Sequence, residues 1–210
     1  MDLRLAPLLA AATLLSMPMA SHALVYQFNA GLKASNEVGT PSTATATGIA
    51  SLFYDDKGTL ALVDDTYDFT MFASGLSGGI TPGTAASGYH IHGAATTAEN
   101  APVRVDLSSA SFSKLNLGSV LLVGGSGIAA PVLIPLTPVT GINAGYPAMS
   151  FLAMLQGGLA YVNVHTAVNS SGAIRGQLMQ VAVVPEPATY GMMVLGLLGL
   201  GLMARRRRNS

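Results

Sequence analysis

The chain closes with a block that no water-soluble fold can absorb. Val184-Pro185-Glu186-Pro187 leads into an apolar run from Ala188 to Ala204, and four arginines follow directly: Arg205, Arg206, Arg207 and Arg208. Each proline fixes its own φ and lacks an N–H donor, so regular structure stops there. An apolar run of this length sits at the short end of what spans a bilayer as a helix. The arginines are costly to translocate and hold their end in the cytoplasm. A folded domain must therefore end near residue 183 and lie across the membrane from the C-terminus.

The other end agrees. Arg4 precedes an apolar stretch from Leu5 to Met19, and Ser21-His22-Ala23 places small residues at both recognition positions of a cleavage site. Residues 1–23 read as a secretory signal peptide for signal peptidase, with the mature chain starting at Leu24. The tail resembles the PEP-CTERM sorting signal of Gram-negative bacteria. That resemblance implies export, a transient stop in the inner membrane and cleavage near Val184-Pro185-Glu186-Pro187 by an exosortase. It also implies a final place at the cell surface or in an exopolysaccharide and biofilm matrix.

Residues 24–183 form a single domain-sized unit, long enough to bury a core. Its basic side chains are Lys33, Lys57, Arg104, Lys114 and Arg175. Its acidic ones are Glu37, Asp55, Asp56, Asp64, Asp65, Asp68, Glu99 and Asp106. The balance is mildly acidic, which leaves no footprint for nucleic acid. Cysteine and tryptophan are absent, which excludes disulfides, thiolate metal sites and a cysteine nucleophile.

Glycine, serine, threonine and alanine are frequent, and no long stretch has helical periodicity, as in all-β exported domains. Ala46–Tyr54 reads as a strand, Asp55-Asp56-Lys57-Gly58 as a turn, and Thr59–Val63 as the returning arm of a hairpin. Tyr67–Met71 alternates with the period of a half-buried strand. Gly75–Gly88 reads as a loop and Tyr89–His92 as a short strand. Val120–Val123 and Val132–Ile134 are apolar runs divided by Gly124–Gly127, which reads as a turn and lacks the lysine of a phosphate loop. Pro135 and Pro138 argue against a central strand nearby. Pro147–Gln156 is the one helix expected in the mature domain, with proline in its first turn and Gly157 past its end. Leu159–Thr166 and Ala173–Val183 read as a closing hairpin around Asn169-Ser170-Ser171-Gly172.

Three stretches carry a second resemblance: Leu32-Lys33-Ala34-Ser35-Asn36-Glu37-Val38, Tyr89-His90-Ile91-His92-Gly93, and Tyr161-Val162-Asn163-Val164-His165-Thr166 with Ile174-Arg175-Gly176-Gln177-Leu178. In that order they resemble the CHRD domain, first described in chordin. Ala173 stands where family members often carry a glutamate. The resemblance implies an immunoglobulin-like β-sandwich or barrel, distantly similar to copper/zinc superoxide dismutase.

The mature part holds three histidines, His90, His92 and His165. Residues two apart in a strand share a face, so His90 and His92 project together. Tyr161, Asn163 and His165 share another face, opposite Val162 and Val164. If the valines and Ile91 face the core, the three imidazoles converge on outer faces. The leading expectation is that they bond to backbone carbonyls and neighbouring polar groups, holding the hairpins in register. The alternative is a Zn or Cu site, because Tyr89-His90-Ile91-His92 resembles the strand on which superoxide dismutases place two copper ligands. No second histidine-rich loop extends that likeness. The pairs Asp55/Asp56 and Asp64/Asp65 read as solvated turn charges, since the EF-hand series is missing. No G-x-S-x-G elbow occurs. The sequence thus describes a non-enzymatic exported protein that needs no cofactor and whose partners are polysaccharide or another surface protein, with the three-histidine metal domain as the alternative.

Overall fold

β1, Leu24–Lys33, is the strand on which the architecture turns. It pairs along its whole length with β2 (Thr47–Asp55), from Val25↔Asp55 to Lys33↔Thr47. Its other edge is shared: β10 (Met179–Pro185) pairs with Leu24–Asn29, and β9 (Ile174–Gln177) meets it at Lys33↔Arg175. The computed structural model describes residues 23–39, 42–80, 88–129 and 145–185, and residues 196–198, 200 and 205 of the tail.

The remaining strands are β3 (Thr66–Ser74), β4 (Tyr89–His92), β5 (Val103–Asp106), β6 (Phe112–Asn116), β7 (Val120–Ile128) and β8 (Tyr161–Val164). Their order is β5-β4-β8-β9-β1-β2-β3-β7-β6, with β10 beside β1. Every described pairing is antiparallel. The sheet curls over on itself, so that its two halves share one core, as the all-β sandwich reading requires.

Alternation explains which side chains enter that core. Along β3, Tyr67, Phe69, Met71 and Ala73 are buried, and Asp68, Thr70 and Phe72 point out. Ile91, Val162 and Val164, each fully buried, close the far half. A short helix, α1 (Phe151–Gln156), plugs one end. Ser150 Oγ accepts from Ala153 N at 3.1 Å as its N-cap, and Phe151 sits edge-on to Tyr54 and Tyr67, with centroids 6.2 and 5.2 Å away.

Several local expectations give way. The helix begins at Phe151, because Ser150 supplies a cap that Pro147 cannot. Thr59–Val63 is no strand: pairing resumes only at Asp55↔Thr66, and Leu60 is fully exposed. Gly124–Gly127 is not a turn but lies within β7. Glycine is there for space. A Cβ on Gly125 would stand 2.5 Å from Ser111 O, and one on Gly127 would stand 2.3 Å from the Tyr67 hydroxyl. Residues 1–22, Val132–Ile134, Glu186, Pro187, Arg206, Arg207, Arg208 and most of the apolar run lie outside the described residues. Among the described residues no helix is long and apolar enough to cross a membrane.

Candidate functional site

β4 and β8 lie side by side with His90↔Asn163 and His92↔Tyr161 in register. His165 follows β8 by one residue, and its N–H donates to Gly88 O at 2.6 Å, which extends the ladder. This register puts His90, His92 and His165 together on the side opposite Ile91, Val162 and Val164. The ring centroids of His90 lie 5.5 Å from those of both His92 and His165. One ligand nitrogen from each ring falls within 4.8 Å of the others. The convergence expected from the alternation is therefore present.

The outer face is nevertheless not open. His90 is fully buried, and His92 and His165 are each 8% exposed. The segment between β4 and β5 folds back over the strands, and β9 anchors it. Gln177 Nε2 donates to Ala95 O at 2.8 Å, Arg175 Nη2 to Thr96 O at 3.0 Å, and Arg175 Nη1 to Asn100 Oδ1 at 3.1 Å. Ala95, Ala101 and Tyr161 form a small second core beneath this cover.

Two of the imidazoles are locked by backbone carbonyls. Nδ1 of His92 lies 2.9 Å from Ala101 O, and Nδ1 of His165 lies 2.9 Å from Ser170 O. A carbonyl only accepts, so each Nδ1 carries the proton and each Nε2 holds a lone pair. Both Nε2 atoms are buried and have no hydrogen-bond partner among the described residues. Burial pushes the His92 imidazole down to about 4, against a smaller upward pull from its bond to Ala101. Burial likewise lowers that of His165. Both rings are neutral at pH 7.

A polar layer around the histidines carries the rest of the site. The His92 ring stacks on Tyr161 at 4.8 Å with planes 4° apart, and the Arg175 guanidinium carbon lies 3.4 Å from the same ring's centroid. Asn163 Nδ2 reaches Glu37 Oε2 at 3.4 Å. Burial pushes the Glu37 carboxyl up to about 7, opposed by Arg175 and by Asn163. Sequence reasoning named Glu37 and Arg175 as motif positions without placing them here. The signal for Arg175 was the period-two alternation of Arg175 and Gln177 against Ile174, Gly176 and Leu178.

The acidic pairs make no common site. Asp55 pairs with Lys57. Asp56 Oδ1 accepts from Leu24 N at 2.8 Å and Gly58 N at 3.0 Å. Asp64 accepts from Thr59 Oγ1 at 2.9 Å. Asp65 departs from the solvated reading: it is buried and accepts from Tyr54 OH at 2.5 Å. Elsewhere, a groove of about 550 Å³ separates the sheet's two edge strands, with Arg104, Asp106, Ser109, Ser111 and Phe112 along it.

An antiparallel sandwich with one end of its sheet covered by a folded-back loop, over a buried layer of histidine, tyrosine and arginine, defines the class of domain. The chain belongs to the CHRD domain family, whose model matches residues 28–178. A second model, the PEP-CTERM protein-sorting motif, matches residues 183–208, and it marks the chain as an exported protein sorted by exosortase. No curated protein and no solved structure matches the chain.

Proposed function

We propose that this is a non-enzymatic component of the Gram-negative cell surface or extracellular matrix, whose CHRD domain binds polysaccharide or another surface protein. Signal peptidase removes residues 1–23. The inner membrane holds the tail until exosortase cuts near Val184-Pro185-Glu186-Pro187, with Arg205–Arg208 fixing the topology meanwhile.

The observation that carries this reading is the join between domain and tail. β10 ends at Pro185, and the sorting motif begins at residue 183. The last strand of the domain thus runs into the processing signal with no linker, as expected if the domain is the cargo that the tail delivers. The buried polar groups support a non-enzymatic domain: Arg175, Gln177, His92 and His165 all bond backbone carbonyls. The edge groove supports a ligand of sugar size. Its volume lies in the range of small-molecule sites, and Arg104 Nη2 is buried there without a hydrogen-bond partner among the described residues.

Intact-mass spectrometry of the surface fraction tests the processing step. In an exosortase-positive host the protein should lack both residues 1–23 and the apolar run with its arginines. Recovery of the complete tail there would leave a simple membrane anchor. Binding to the host's purified exopolysaccharide, weakened at least tenfold by Arg104→Ala, tests the ligand.

A further inference from the structure

The three buried imidazoles have a geometry that the surface-protein reading does not use. We infer that His90, His92 and His165 form a binding site for one divalent transition ion of the zinc–copper class.

The convergence is fixed by backbone pairing. His90 and His92 share a face of β4, and the β4–β8 register brings His165 to that face from the neighbouring strand. A tetrahedral zinc ion with bonds of about 2.0–2.1 Å needs its nitrogen donors about 3.3 Å apart. The candidate atoms all lie within 4.8 Å.

The tautomers suit a metal. Metal-bound histidines commonly donate their other ring N–H to a carbonyl, which fixes the ring and raises its basicity as a ligand. Ala101 O and Ser170 O do this for His92 and His165. That leaves two buried Nε2 lone pairs without a hydrogen-bond partner among the described residues. A buried acceptor in that condition is costly unless something fills it. Three imidazoles suit Zn²⁺ or Cu²⁺ rather than Mg²⁺ or Ca²⁺, which prefer oxygen. A tetrahedral ion would keep one position for a small exogenous ligand.

The test uses the full-length protein in detergent, stripped with a chelator and then titrated with Zn²⁺, Cu²⁺ or Co²⁺. One equivalent should survive desalting. His90→Gln, His92→Gln and His165→Gln should each weaken binding at least tenfold, whereas His22→Ala should change nothing. X-ray absorption on the wild-type Zn²⁺ form should count three imidazoles, which keeps the test decisive if a variant fails to fold. No retained equivalent, fewer than three imidazoles, or loss of binding in His22→Ala would each overturn the site. None of those results touches the export and processing reading, which the mass of the surface form decides separately.

Discussion

The guanidinium of Arg175 lies flat on the ring of Tyr161, 3.4 Å from its centroid, while the His92 ring stacks on the same tyrosine. One ring face cannot hold both groups, so the three planes form a layered stack. The outward donors of Arg175 then grip Thr96 O and Asn100 Oδ1. A single buried side chain, 1% exposed, thus joins β9 to the loop that covers the histidines.

Arg175→Lys keeps the charge and loses both the plane and the fork. The expected cost is roughly 2–4 kcal/mol, from the lost stack and one lost charged hydrogen bond. Hydrogen exchange should rise first between residues 94 and 101. Equal protection there in both proteins would show that Arg175 does not hold the cover.

Val164 is fully buried on the core side of β8, opposite the histidine face. Val164→Asp places an unpaired carboxylate in that core, a change of about 4 kcal/mol or more. Thermal melting should show a grossly lowered midpoint or no cooperative transition. A wild-type melting curve would show that Val164 does not lie in a packed core.

Tyr54 OH donates to the buried Asp65 Oδ2 at 2.5 Å, and Asp65 Oδ1 has no hydrogen-bond partner among the described residues. Tyr54→Phe removes the donor and leaves the carboxylate stranded, at roughly 2–4 kcal/mol. Adding Asp65→Asn should recover part of that loss. A double variant as damaged as the sum of the singles would show that the two residues are not coupled.

The pH dependence follows from two opposed groups. The Glu37 carboxyl is raised from 4.5 to about 7 by burial. Its contribution to stability is therefore full below 4.5 and is lost as pH rises through 7. His92 is lowered from 6.5 to about 4, so its contribution is full above 6.5 and is lost as pH falls towards 4. In metal-free protein the two oppose each other between about 4.5 and 6.5. Glu37→Gln removes one of them. Denaturant midpoints of that variant should fall more steeply on acidification than wild type, and should exceed wild type at pH 8. Parallel pH profiles would remove Glu37 from this role.

Much of the sandwich was legible because alternation is a local property. Tyr67–Met71, Tyr89–His92 and Tyr161–Val164 declare their faces residue by residue, and the convergence of His90, His92 and His165 follows from two such strands. The failures share a cause in distant partners. Gly124–Gly127 has the composition of a turn, yet Gly125 and Gly127 are small because Ser111 and Tyr67 lie against them. Thr59–Val63 has the composition of a strand, yet β2 finds its partner only from Thr66 onward. The burial of the histidines depends on Arg175 and Gln177 reaching back some eighty residues to Thr96 and Ala95. Neither periodicity nor spacing encodes such a contact.

The two ends of β1 have different neighbours. Leu24 lies beside Pro185, where the sorting tail departs, and Lys33 lies beside Arg175 of the histidine layer. Nine steps of about 3.3 Å separate them along the strand, or about 30 Å. The sorting tail therefore leaves the domain at the Leu24 end, a full strand length from the covered histidine layer.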